Sequence, residues 1–331
     1  MKRFLPLALL SLLCCCKALV SPLPSLGGAG LSGLYAADCG GTLVVAGGCN
    51  FPDVPAAEGG KKVFYDEILA LGADGWSVIG HLPEASAYGA YAAVDGGLLV
   101  AGGANASGTL SEVWMVRPDS VEVLPALPKP IEQAAWCAEG GHLWLAGGLS
   151  DGEPSLDVYE FDGSSWVEIA KLPSPIVQGV ATSGTAETDS IVPTLCVWGG
   201  YDPVEKSALT GGYSLDLGTG EWTPLEADVT FVGSACLDGI AVGGCDAGVF
   251  TSALRLPADK VREYQSQPVE YYRFRGEALH FDGKLWKRAA ASEHLARAGA
   301  AVARYDGGLV LIGGELKPGI RTPEVWSLTI E

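Results

Sequence analysis

The chain of 331 residues carries 39 acidic against 21 basic residues, a net charge of −18. A surface that negative repels nucleic acid and anionic membrane, so an anionic ligand has to be held by a local cluster of cations. Charge therefore points to a small molecule or a neutral polymer as partner.

At the start of the chain, Lys2 and Arg3 precede an apolar run over residues 4–13 and then small residues, the layout of a secretory signal peptide. This predicts a leader over residues 1–18 and a mature domain over 19–331, exported to the periplasm or outer surface. The run is shorter than the roughly 20 apolar residues of a membrane span, and no later segment supplies one. Cys14, Cys15 and Cys16 follow the run directly, where a bacterial lipoprotein carries its acylated cysteine, so a lipid anchor stands beside simple cleavage as a second reading. Six further cysteines, at positions 39, 49, 137, 196, 236 and 245, sit singly in apolar patterns and read as small buried side chains. With neither CxxC nor HExxH present, no metal or other cofactor is expected. The pattern leaves the oligomeric state open.

Beyond the leader the sequence repeats. Six apolar runs end in Gly-Gly, at Gly47-Gly48, Gly102-Gly103, Gly147-Gly148, Gly199-Gly200, Gly243-Gly244 and Gly313-Gly314. After most pairs comes a second strand-like run and a tryptophan: Tyr65 and Trp76, Tyr159 and Trp166, Tyr213 and Trp222, Phe281 and Trp286. Four short strands in units of about 45 to 55 residues predict an all-β, six-bladed β-propeller. The unit resembles the kelch repeat, whose signature is a Gly-Gly followed by spaced Tyr and Trp. Two irregularities matter. The fifth unit is interrupted between Gly244 and Glu277 by a charged, helix-compatible stretch, ADKVREYQSQPVEYYRFR. The sixth stops after its third strand, so residues 18–22 are expected to supply the fourth and close the ring, removing an open sheet edge.

Successive antiparallel strands reverse direction, so the 2–3 and 4–1 loops of every blade emerge on one face. That face receives Asn50, Asn105, Asp151, Asp202, Asp246 and Glu315 after the glycine pairs, and Tyr88, Gln133, Gln178 and Arg297 at strand starts. Asn and Asp are also plain turn formers, whereas Glu is not. Three denser clusters stand out. GGELKPGIRT places Glu315 and Lys317 before a Pro318-Gly319 turn and Arg321 beyond it; AEGGKKVFYDEI supplies Glu58, Lys61 and Lys62; PVEYYRFR supplies Tyr272 and Arg273. Together they give an anionic or polyhydroxyl ligand its local cations.

The segment GGELKPGIRT resembles the GExKPGxRT signature of bacterial N-acetylneuraminate epimerases, kelch propellers that speed mutarotation of sialic acid. LVVAGGCNF, EGGKKVFYDEI and AYG resemble another blade of the same enzymes. Here the first segment lies at the C-terminus and the others near the N-terminus, an order similar to the cyclically permuted mutarotase family. The resemblance implies Glu315 as general base with Arg321 as its partner. Together with the shared face, it puts Lys317, Lys61, Lys62, Glu58, Asn50, Tyr88, Arg297, Tyr272 and Arg273 around a free sugar, by resemblance N-acetylneuraminic acid or a related acidic or amino sugar. Such ring opening requires no metal, nucleotide or covalent nucleophile. One departure is visible: where the family reads RAYG, this chain has Ser86-Ala87-Tyr88-Gly89. The rival reading is a non-catalytic propeller that binds a glycan or a protein partner. A copper radical oxidase on the same scaffold is disfavoured, because His81, His142, His280 and His294 are scattered.

Overall fold

Each Gly-Gly pair carries the chain out of an inner strand through left-handed backbone. At Gly313 and Gly314 the φ angles are 62° and 99°, and a Cβ on Gly313 would stand 2.4 Å from the Leu31 carbonyl oxygen. The same close approach recurs at Gly47 against Ser86, Gly102 against Ile131 and Gly147 against Ile176, so both angle and space demand glycine. The approach is a joint between blades. The second glycine donates its N–H to that same carbonyl: Gly48 to Ser86, Gly103 to Ile131, Gly148 to Ile176, Gly244 to Arg297 and Gly314 to Leu31, at 2.7–2.9 Å.

The computed structural model describes residues 19–187 and 191–330; the expected leader, with Cys14, Cys15, Cys16 and Ala18, lies outside the described residues. Among the described residues there are six four-stranded antiparallel sheets, one per Gly-Gly pair. In chain order the innermost strands are Tyr35–Asp38 (blade I), Ala90–Val94 (II), Ala135–Glu139 (III), Val180–Glu187 (IV), Ala235–Leu237 (V) and Ala301–Tyr305 (VI). The fold is a six-bladed β-propeller. Apolar side chains pack between blades as much as within them: Val45, Leu98 and Trp114 of blades I and II share one buried cluster with Val310 and Ile312 of blade VI. Burying each such side chain contributes about 1.5–3 kcal/mol. The six cysteines at 39, 49, 137, 196, 236 and 245 are buried and unpaired.

The outer strand of blade VI comes from the other end of the chain. Leu19–Leu23 pairs antiparallel with Val325–Thr329, Leu19 opposite Thr329 and Leu23 opposite Val325, and Trp76 Nε1 then donates to the Pro24 carbonyl at 2.7 Å. Deleting Leu19–Leu23 would leave Val325–Thr329 as a bare edge. The expected result is a lower melting temperature and concentration-dependent association in light scattering, because an unpaired edge templates strand addition. Unchanged melting would show that the ring closes without this strand.

At the axis a second closure runs through the backbone. Six residues in left-handed conformation, one per blade, each donate N–H to the carbonyl of the one before: Tyr88 to Gly33, Gln133 to Tyr88, Gln178 to Gln133, Gly233 to Gln178, Gly299 to Gly233 and Gly33 to Gly299. The bonds measure 2.8–3.2 Å and form a closed circle around the axis. On this same face five blades follow their glycine pair with a small two-stranded hairpin; blade V carries instead the helices Ala247–Leu254, Val261–Gln265 and Val269–Tyr272. The interruption of the fifth repeat is thus a partly helical cap beside the axis.

Candidate active site

The residue directly after each glycine pair is bridged to the residue before the axial one. These pairs are Cys49 with Ser32, Ala104 with Ala87, Leu149 with Glu132, Tyr201 with Val177, Cys245 with Val232, and Glu315 with Ala298. Five blades place apolar or weakly polar side chains there, and blade VI places a carboxylate. The hairpin that carries it is set by its turn. Pro318 fixes φ, Gly319 takes φ 82°, and Glu315 falls directly opposite Arg321. Ala56 lies against Gly319, 2.5 Å from where a Cβ would stand, so the turn is seated on the segment just before Glu58.

Glu315 Oε1 and Arg321 Nη1 are 2.5 Å apart. The Glu315 side chain is 22% exposed and opens onto a cavity of about 920 Å³; that of Arg321 is 2% exposed and lies behind the carboxylate, off the cavity wall. The guanidinium stacks on the Phe51 ring, 4.9 Å from its centroid, and its Nη2 donates to Tyr88 Oη at 3.4 Å. Tyr88 Oη also accepts from the Cys49 thiol at 2.9 Å and from Lys62 Nζ at 3.3 Å. One carboxylate, one phenol and one exposed ammonium thus converge at the cavity wall, with a buried guanidinium beneath them.

Burial pushes the Glu315 carboxyl above the ordinary carboxylate range; Arg321, Lys62 and the Gly319 amide pull it down without cancelling that effect. Burial likewise raises Tyr88, reinforced by Cys49 and Glu315 and opposed by Arg321, so its phenol keeps its proton. A carboxyl raised on folding contributes stability that is fully present below its unfolded pKa and is lost as pH rises through its folded pKa. The melting-temperature difference between Glu315→Gln and the native protein should therefore move in favour of Gln as pH rises from about 4 towards neutrality. A difference that does not change with pH would mean that the carboxyl is not raised.

The rest of the cavity has two characters. Phe250, Tyr264, Tyr272 and Phe274 of the insertion give one aromatic wall, and Glu132, Gln133 and Gln178 give a polar one. Tyr88, Gln133 and Gln178 occupy the left-handed axial positions, with φ of 67°, 57° and 56°, where blades I, V and VI use Gly33, Gly233 and Gly299. A side chain there costs roughly 1–2 kcal/mol, and all three line the cavity.

Of the residues expected at the site, Glu315, Lys62, Tyr88 and Tyr272 line this cavity and Arg321 supports it from behind. The others lie elsewhere. Arg297 is 1% exposed and points into blade VI, donating to the Gly313 carbonyl at 2.9 Å and to Glu324 Oε2 at 2.9 Å. Its backbone is the joint that accepts from Gly244, equivalent to Ser86 in blade II, so an arginine at position 86 would also start from a joint rather than from the cavity. Asn50 is buried, with Nδ2 on the Gly30 carbonyl and Oδ1 accepting from Tyr65. Arg273 pairs with Asp246, the N-cap of helix Ala247–Leu254, at 2.9 Å. Lys317 Nζ donates to the Gln267 carbonyl at 2.7 Å and so ties the Glu315 hairpin to the insertion. Lys61 and Glu58 are exposed and off the cavity wall. Glu132, Cys245, Phe250 and Tyr264 are wall residues that the sequence reading did not single out as site residues. Cys245 had a usable signal, since it directly follows a glycine pair as Glu315 does.

Comparison with known proteins supplies the setting. Residues 16–124 match the N-acetylneuraminate epimerase family. The chain is 31% identical over 166 residues to an N-acetylneuraminate epimerase of Yersinia pestis, covering 43% of this chain and 42% of the relative. It is 39% identical over 114 residues to one of Brucella melitensis, covering 30% of this chain and 29% of that relative. The chain thus spans less than half the length of these curated relatives. In fold it is similar to the solved structure of YjhT, with a TM-score of 0.66 and 15% identity over 94% of this chain and all of that one.

Proposed function

For this chain, a kelch-type relative of the N-acetylneuraminate epimerases, we propose the activity of a mutarotase that interconverts the anomers of a free sugar, N-acetylneuraminic acid or a related acidic or amino sugar. The observation that carries the reading is the Glu315 carboxylate on the cavity wall, raised by burial and backed by Arg321. Opening a cyclic hemiketal needs a base on the anomeric hydroxyl and a proton source for the ring oxygen. Glu315 takes the hydroxyl proton, the ring C–O bond breaks, and the ring oxygen receives a proton as the carbonyl forms. Rotation about the adjacent C–C bond and re-closure, with the proton transfers reversed, gives the other anomer. Lys62 Nζ and the Tyr88 hydroxyl stand on the same wall to meet the ring oxygen or a substrate carboxylate. A carboxylate raised above its ordinary range is the stronger base for this role, and general acid–base assistance contributes about 10²–10⁴-fold.

The test is an NMR time course of freshly dissolved α-anomer with and without the protein. Equilibration accelerated in proportion to protein concentration supports the activity. Uncatalysed rates for N-acetylneuraminic acid and for related acidic and amino sugars would remove it and leave a binding propeller.

A further inference from the structure

The wall that faces Glu315 carries a chemistry that ring opening does not use. Glu315 stems from blade VI and Glu132 from the start of blade III, three blades round a six-membered ring, so the two carboxylates approach the axis from opposite sides. Among the described residues no cation lies within ion-pair distance of Glu132. Its Oε2 accepts from Gln133 Nε2 at 2.9 Å and its Oε1 from Thr109 Oγ1 at 3.4 Å. Gln178 Nε2 in turn donates to Gln133 Oε1 at 2.6 Å. Each amide therefore has its donor end aimed towards Glu132. That leaves further Glu132 lone pairs and Gln178 Oε1 as acceptors on residues that line the cavity, beside the second N–H of each amide. A carboxylate without a cation, flanked by amides, is matched by hydroxyls, which both donate and accept, and a carboxylate bridges the two O–H groups of a vicinal diol well.

We propose that Glu132, oriented by Gln133 and Gln178, is the specificity determinant for the polyhydroxyl tail of the sugar, the end remote from the anomeric carbon. The proposal rests on the mutarotase reading for the kind of sugar involved. The orientation follows from charge: a substrate carboxylate is drawn to Lys62 and repelled by Glu132, so the anionic end lies at Glu315 and the diol end crosses the axis. A cavity of about 920 Å³ lies towards the large end of small-molecule sites and is roomy for a six-carbon ring alone. The left-handed Gln133 and Gln178, at positions glycine fills in three other blades, are side chains retained on this wall against backbone preference.

The test compares two sugars that share the reactive ring: N-acetylneuraminic acid and the seven-carbon analogue whose side chain is cut back to a hydroxymethyl group. Binding is measured by calorimetry on native protein, Glu132→Gln and Glu132→Ala, and anomer interconversion by NMR on the same samples. The native protein should bind the full-length sugar at least about tenfold more tightly than the analogue, Glu132→Gln should narrow that ratio, and Glu132→Ala should bring it within about twofold. A ratio within one sample is insensitive to a misfolded fraction. The Glu132 backbone is also held independently of its side chain, through both bonds to Leu149. A native ratio near one, a ratio unchanged in both variants, or no binding of either sugar overturns the proposal. If both sugars bind but neither interconverts faster, the mutarotase reading fails while the ratio still decides the role of Glu132.

Discussion

Glu315→Gln is expected to lower turnover by at least about 10²-fold wherever the native carboxyl is ionised, because it deletes the base while keeping size and hydrogen-bonding groups. The hairpin does not depend on the carboxylate for its place: the Glu315 N–H donates to the Ala298 carbonyl at 2.7 Å, and the Ala298 N–H donates back at 3.0 Å. Circular dichroism should therefore match the native protein and melting should stay cooperative, the melting temperatures differing only by the pH-dependent amount that the raised carboxyl sets. If Glu315 only braces the loop, the variant should melt earlier and keep its activity per folded molecule. Full activity in a folded Glu315→Gln protein would remove the catalytic assignment.

The fold was legible in the sequence because its demands are local. A glycine pair that must adopt left-handed φ and admit a neighbouring carbonyl at close range has no substitute, so six pairs announce six blades. The Glu315–Arg321 pair was legible for the same reason, since Pro318-Gly319 makes a tight turn and register follows from the turn. What failed was placement that depends on counting from a bridge rather than from a strand start. Arg297 resembles a cavity residue two positions too early; the bridge between Ala298 and Glu315 shows that the axial position is Gly299 and that residue 297 belongs to the joint. Asn50 and Asp246 gave the ordinary result for their type, being spent on local hydrogen bonds and a helix cap. Glu132 carried no local signal. Its place on the wall comes from lying one residue before an axial position, and its position across from Glu315 is a property of the closed ring.

Arg321→Met is expected to lower kcat/KM by about 10²-fold near neutral pH and, unlike Glu315→Gln, to recover in part as pH rises. At 2% exposure the guanidinium reaches the reaction only through its neighbours, holding Glu315 at 2.5 Å and Tyr88 Oη at 3.4 Å. Burial raises Glu315, and Arg321 is the largest influence holding it down. Removing that positive charge moves the carboxyl further up, so through its titration range more of it is protonated and unable to accept the anomeric proton than in the native protein. Raising the pH restores the ionised form, and the acidic limb of kcat/KM should appear displaced upward relative to the native protein. Methionine fills part of the space against Phe51 but leaves an ionised Glu315 without its buried partner. Breaking such a pair costs about 3–5 kcal/mol, and the loss should lessen at low pH, where the carboxyl is neutral. Lys62→Met separates the two cations. It should raise KM for an acidic sugar more than for a neutral one, because Lys62 faces the cavity, while Arg321→Met should treat both sugars alike. A loss in Arg321→Met that is constant with pH, or one confined to acidic sugars, would instead assign the guanidinium a direct contact with the substrate.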